Sequence, residues 1–383
     1  MRRKIGNCVP ERYRRSSHLI SYWQGRQLVF ENYALDVRVT AAPQTCEMLH
    51  FLDRWRTAAE VARHFPDHTT QSLAGALSNL IDAGLVERSR APRDKKAEAL
   101  RGWSDWSPAA SYFHMATRNS HAPIESDDSV RVLRQRARQT PMPPASKSYP
   151  RNRQVALPAP QTKGEFPRVL LERRTWRQFS PAALKLDDLA TLLGLTFGVQ
   201  SWLDLRGIGR VALKTSPSGG ARHPIEAYVI AQRVRGLSRG LYHYNAATHR
   251  LELLHKRVSP AKTASYLNGQ SWCDGAGAVV LMTAVFARQQ WKYPGPRAYR
   301  IMLIDAGHLC QTFCLAATWL GLAPFCTMAL ADSEIESDLQ IDGVSEAVVY
   351  AAGVGARVGD ADSARWPTSQ AYGRRTPNRL LQP

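Results

Sequence analysis

The run IMLIDAGHLCQTFCLAATWLGL, residues 301–322, limits the folds open to this chain more than any other stretch. A bilayer asks for about 20 apolar residues in a helix, and this run nearly supplies them. Asp305, His308 and Gln311 interrupt it, however, and it closes on Gly-Leu-Ala-Pro. The pattern therefore predicts a buried helix at the heart of a globular domain rather than a membrane span. Ahead of it lies a second apolar run, GAGAVVLMTAVF, residues 275–286, which reads as a core strand. Between the two stands QQWKYPGPRAYR, with Lys292 and Tyr293 side by side before Pro-Gly-Pro. Taken alone, that stretch fits a polar turn as well as it fits a functional element.

The rest of the C-terminal half is mixed. EAYVIAQRV, GLYHYNAATHRLELL and EAVVYAAGVG read as strands, with Asn245 in a hairpin turn. RVLLERRTWRQF and LKLDDLATLLGLTFGV are helical in period. Helices do not alternate regularly with strands, and one strand pair is clearly a hairpin. That favours an α+β domain over a doubly wound sheet.

Three regions are expected: residues 1–90, 91–164 and 165–383. In the first, SYWQGRQLVFENY and ALDVRVT read as short strands. PQTCEMLHFLD, RTAAEVARHF and TTQSLAGALSNLIDAGLVER then show helical spacing, with Gly84 as a C-cap before a strand. This is a winged-helix-like order. The would-be recognition helix TTQSLAGALSNL carries no Lys or Arg, so it lacks the usual donors for phosphates and base edges. Docking of a protein or peptide suits it better than DNA. The middle region contains two helices, one including WSPAASYFHMATR. It ends in QTPMPPASKSYPRNRQVALPAPQTKG, whose six prolines predict an extended, semi-rigid linker.

The 51 Lys+Arg against 32 Asp+Glu give a net charge of +19, spread evenly over both halves. Such a surface attracts anionic ligands, and an arginine-rich source proteome would produce the same excess. Cys8, Cys46, Cys273, Cys310, Cys314 and Cys326 form no CxxC pair, so no metal site is expected from spacing. Cys310 and Cys314, one helical turn apart, read as small buried hydrophobes. MRRKIGNCVPERYRR has no apolar core of a secretion signal, and a reducing cytoplasm is the default expectation.

Two segments suggest chemistry. RRTWRQF sets Arg173, Arg174, Thr175 and Arg177 close together, a donor set suited to a phosphate. A solvated basic helix face would look the same. SPSGGARHPIEAY carries Ser218, Gly219 and Gly220 where a turn enters a strand, so backbone N–H groups could approach a flat ligand. His308 reads as a packed, hydrogen-bonded residue, His223 is open to either reading, and His114 is a candidate for substrate contact.

Together, and in this order, these segments resemble the nitroreductase superfamily, in particular its SagB/ThcOx-type branch of azoline dehydrogenases. RRTWRQF is similar to the family's opening Arg-Arg-Ser-x-Arg-x-Phe, with Thr175 in place of serine. SPSGGARHPIEAY, GLYHYNAATHRLELL and AYRIMLIDAGHLCQTFCLAATWLGL match the branch's signature, hairpin and long helix. The resemblance covers roughly residues 100–358. It implies a nitroreductase-like FMN fold with a central, mainly antiparallel sheet flanked by helices, following a small winged-helix-like domain. It implies FMN held by Arg173, Arg174, Thr175 and Arg177, with Pro217, Ser218, Gly219 and Gly220 lining the ring. Ala329 or Leu330 would offer a main-chain donor to the flavin, and Arg357, Arg374 and Arg375 are candidates for the C-terminal phosphate ligand. Lys292 and Tyr293 fall where the branch carries its catalytic Lys-Tyr pair.

The activity so implied is FMN-dependent oxidation of thiazoline or oxazoline rings, or a related saturated bond, in a peptide natural-product precursor. A homodimer, a peptide substrate and a cyclodehydratase partner come with it. The competing readings are an NAD(P)H-dependent nitro or quinone reductase of the same fold and a winged-helix ligand-sensing regulator.

Overall fold

The computed structural model describes residues 10–92, 94–119, 127–140, 142–147, 151, 153–256 and 258–359. Cys8, Arg374 and Arg375 lie outside the described residues. The chain divides into two compact units, Met1–Arg118 with Pro294–Arg297 and Asn119–Tyr293 with Ala298–Pro383.

In the first unit the segment SYWQGRQLVFENY is two strands rather than one. Gly25, at φ 61°, turns Leu19–Gln24 back onto Gln27–Asn32, and Val37–Ala41 completes an antiparallel meander. Helices Thr45–Phe51, Ala58–His64 and Thr70–Asp82 follow, and then strand Val86–Arg88. A reciprocal cap starts the second helix: the Thr57 side chain accepts from the Glu60 N–H, and the Glu60 carboxylate accepts from the Thr57 N–H at 2.7 Å. Strand Arg12–Arg15 runs antiparallel between Arg56–Thr57 and Val86–Arg88. Leu52, Val61, Leu77 and Leu85 form the core beneath them. His114 is buried in this unit, its ring 5.2 Å from that of Trp103.

The second unit is built on six antiparallel strands. Their spatial order is Arg250–Lys256, Gly240–Asn245, Ile225–Ala231, Ala278–Val285, Glu346–Ala356 and Leu322–Thr327. The central strand Ala278–Val285 reads AVVLMTAV, with its first seven residues buried, as expected where both faces of a sheet are covered. Asn245 makes the expected hairpin turn, its Oδ1 accepting from the N–H groups of Ala247 and Thr248, both at 3.2 Å. The fold is α+β and nitroreductase-like.

Arg297–Trp319 is one helix, and Met302, Phe313 and Ala317 on it are fully buried. Among the described residues it is the one helix long and apolar enough to cross a membrane. Gly321, at φ 71°, ends it and turns the chain into the edge strand Leu322–Thr327.

Three further features depart from the sequence reading. LAPFCT is an edge strand; Pro324, which has no N–H to give a ladder, is tolerated because the sheet's outer side needs no donor there. The hairpin Ser201–Leu205 with Gly209–Leu213 is an additional strand pair. The helix over RVLLERRTWRQF stops at Glu172, and residues 173–179 belong to neither helix nor strand. Backbone pairing outweighs helical periodicity there: the Trp176 N–H donates to the Pro324 carbonyl and the Ser180 N–H to that of Ala356, both at 2.9 Å. Phe179 and Phe325 fill the space beneath, and any Cβ on Gly353 would strike the Phe325 ring.

Candidate active site

The polar interruptions of the long helix form one face. Asp305, His308 and Thr312 follow an i, i+3, i+7 spacing, so they project to the same side. Each holds the segment Ser216–Gly219. The Ser218 hydroxyl donates to Asp305 at 2.6 Å and the Gly219 N–H at 3.3 Å. The Ser216 and Thr312 hydroxyls are 2.7 Å apart, and His308 Nδ1 lies 3.2 Å from the Pro217 carbonyl. Burial pushes the Asp305 carboxyl up from the usual carboxylate range, and the Ser218 and Gly219 donors oppose that. The sequence reading missed Asp305 and Thr312 as anchors; the helical spacing was the available signal.

Beyond Ser218 the chain turns sharply, with positive φ at Gly220 (67°), Ala221 (55°) and His223 (44°). Two non-glycine residues in that region within three positions are costly and mark a conformation imposed by its surroundings. The Ser218 hydroxyl accepts from the His223 N–H at 2.9 Å, and Arg222 Nε donates to the Arg288 carbonyl at 3.1 Å. Burial, and then the Lys214 charge, push His223 down to about 4, so its ring is neutral at ordinary pH. Burial also pushes the Lys214 ammonium down.

Lys292 and Tyr293 stand directly over this turn. A Cβ built on Gly220 would lie 2.6 Å from Lys292 Cδ, 2.7 Å from Lys292 Nζ and 2.7 Å from the Tyr293 hydroxyl. Lys292 Nζ donates to the Gly220 carbonyl at 3.3 Å and lies 5.7 Å from the centre of the Tyr293 ring. The short helix Phe286–Gln290 positions the pair, since the N–H groups of Lys292 and Tyr293 both donate to the Gln289 carbonyl. Gln289 is buried, and its Nε2 donates to the Gly219 carbonyl at 3.4 Å. Lys292 and Gly220, 72 positions apart in sequence, thus meet, and an ammonium and a phenol face the turn at Gly220.

The arginine-rich segment has a different setting. Arg174 turns its guanidinium back on the preceding helix, donating to the carbonyls of Leu171 (2.8 Å) and Arg173 (2.7 Å). The Arg177 guanidinium sits over Trp272, and Arg357 sits over Trp176, each 5.4 Å from the ring centre. Arg357 also donates to the carbonyls of Leu322 (3.0 Å) and Thr318 (3.2 Å), closing the end of the long helix. Thr175 and Arg173 are partly exposed on the same segment. The Ala329 N–H donates to Thr327 Oγ1 at 3.0 Å, and the Leu330 side chain is buried in the core.

Arg173 and Arg177 carry guanidinium groups of the kind that suits a phosphate. At the glycine turn, Ile301, Gln289, Lys292 and Tyr293 fill the space in which side chains at Gly219 and Gly220 would stand.

An antiparallel α+β sheet around one long buried helix, with a glycine turn strapped to that helix, defines the class. The chain belongs to the nitroreductase family, whose family model matches residues 170–356. The trifolitoxin-processing protein TfxB of Rhizobium leguminosarum bv. trifolii is 34% identical over 175 residues, 45% of this chain and 47% of the relative. A candidate nitroreductase of Methanocaldococcus jannaschii is 33% identical over 174 residues, 45% of this chain and 83% of the relative. Among solved structures, a candidate nitroreductase of Anabaena variabilis is 27% identical with a TM-score of 0.44, covering 53% of this chain and 41% of that one. The chain therefore spans about half the length of the Rhizobium relative and less than half of the Anabaena chain.

Proposed function

We propose that this nitroreductase-family oxidoreductase is an FMN-dependent dehydrogenase acting on azoline rings, or a related saturated bond, in a peptide. The observation that carries the reading is the placement of Lys292 and Tyr293 over Gly220. Removing two hydrogens from a ring as a proton and a hydride needs a base on the protein and a hydride acceptor. Bound FMN would supply the acceptor, its ring against Pro217, Ser218, Gly219 and Gly220 and its phosphate held by Arg173 and Arg177, with Thr175 adding a hydroxyl. Lys292 and Tyr293 are the groups placed to take the proton. A Lys-Tyr pair serves no evident purpose in a reductase that draws hydride from NAD(P)H. The similarity to a protein named for trifolitoxin processing supports a biosynthetic substrate. The helix Thr70–Asp82 of the first unit carries no Lys or Arg, which suits peptide docking better than DNA.

The test is direct. The purified protein should be yellow and release FMN on heating, and it should oxidise an azoline-bearing peptide with flavin bleaching under exclusion of oxygen. Lys292→Ala and Tyr293→Phe should each slow that oxidation about 100-fold, the usual scale for a lost general base, while keeping FMN. A protein that takes up no FMN sinks the enzyme reading. A yellow protein that oxidises NADPH with nitroarenes and ignores azolines would establish the reductase instead.

A further inference from the structure

The fold assembles a cluster of thiols that the proposed chemistry does not use. Cys310 and Cys314 lie one turn apart on the helix Arg297–Trp319, and both are buried. After Gly321 the edge strand runs back under that turn and delivers Cys326. The three Sγ atoms all lie within 4.8 Å of one another, and all three residues are free cysteines. On the neighbouring strand the Tyr350 hydroxyl donates to Cys326 Sγ at 3.4 Å. Apolar packing accounts for two cysteines one helical turn apart. It gives no reason for a third sulfur from another element with a hydroxyl aimed at it.

We infer that Cys310, Cys314 and Cys326 form a structural thiolate site for one zinc-class dication, with the Tyr350 hydroxyl or a water as the fourth, oxygen ligand. Zinc–sulfur bonds of about 2.3 Å place ligand sulfurs roughly 4 Å apart, so the observed triangle needs little contraction. Thiolate ligands select soft ions such as Zn²⁺ and Cu⁺ over Mg²⁺ or Ca²⁺. Charge favours the dication. Three thiolates and Zn²⁺ leave one negative charge, and the Arg173 guanidinium acts electrostatically on both Cys314 and Cys326. Binding releases the three thiol protons to solvent, so the affinity rises with pH. The ion would pin the edge strand to the long helix just before the segment Met328–Ala331.

The experiment uses the full-length protein, stripped with chelator under reducing conditions and dialysed against Zn²⁺. One zinc per chain should survive gel filtration and raise the melting temperature above that of the stripped protein. X-ray absorption at the zinc edge should show three sulfur scatterers at about 2.3 Å and one light atom. Cys326→Ser and Cys310→Ser should lose the retained zinc, whereas Cys46→Ser, altered at an exposed cysteine of the other unit, should keep it. Failure of the wild type to retain zinc overturns the site, as does a shell of nitrogen and oxygen or full retention by Cys326→Ser. If the serine variants fold poorly, the wild-type absorption shell decides by itself.

Discussion

Asp305 shows how one buried charge can organise a site. A carboxylate 3% exposed in an apolar helix is costly unless it is paired, and its partners here are the Ser218 hydroxyl and the Gly219 N–H. Asp305→Ala would strand both donors, at about 1–3 kcal/mol each. We expect a lowered melting temperature and weaker retention of added FMN, measured by equilibrium dialysis, because the glycine turn loses its strap. Asp305→Asn keeps an acceptor and should lose less. Wild-type behaviour in both variants would show that Ser216, Pro217 and the helix packing suffice without the carboxylate. The sequence displayed Asp305 as an interruption and the spacing to His308 and Thr312 as one face. What it could not display was the partner, because contact with residues 216–219 exists only after the sheet brings the two segments together. Lys292 and Tyr293 were legible as a pair for the same limited reason: adjacency is local, while their meeting with Gly220 is tertiary.

Strand assignments were legible where side chains alternate or run uniformly apolar, as in EAYVIA and AVVLMTAV. They were illegible where the backbone decides. LAPFCT was read only as the close of the long helix at Gly-Leu-Ala-Pro, whereas an edge position lets a strand carry Pro324. The non-helical course of residues 173–179 likewise goes with hydrogen bonds to Pro324 on that edge and to Ala356 on the strand beside it. The opposite side of the sheet carries a cross-strand link with a measurable pH signature. His243, on strand Gly240–Asn245, stands between Glu226 on one neighbour (3.1 Å) and Glu252 on the other (2.8 Å). The Glu226 hydrogen bond, opposed by burial and aided by Glu252, raises His243 to about 9. Burial raises Glu226, but His243 and Arg288 outweigh it and hold that carboxyl low. A histidine raised in the folded state stabilises fully below its unfolded value of 6.5, and that contribution disappears as pH climbs through about 9. The shift corresponds to about 3 kcal/mol, and we expect roughly half of it after screening of the exposed Glu252. His243→Gln should therefore melt well below the wild type at pH 6 and close to it at pH 10. A gap that is constant with pH would assign the loss to packing instead.

The charge of +19 and the apolar side chains left exposed on the second unit pull in opposite directions. Trp202, Leu203 and Ile208 on one hairpin, and Ile304 and Trp319 on the long helix, are each more than two-fifths exposed. Exposed apolar groups in that number mark surfaces that associate. Like charge on every copy opposes association, most strongly at low ionic strength. We propose that the glycine segment reaches the flavin of a second copy, so that cofactor retention depends on pairing. We therefore expect the flavin-loaded protein to sediment as a dimer of about twice 42.8 kDa. Added salt should tighten that dimer, since screening removes repulsion and leaves the apolar contact. Nucleic acid held by the same basic surface would show the reverse, with affinity falling steeply as salt rises. Sedimentation velocity on micromolar protein at 50 and 500 mM salt, recorded at a flavin wavelength, separates the two. A flavin-bearing monomer at both concentrations would end the dimer proposal, because each copy would then hold its cofactor alone.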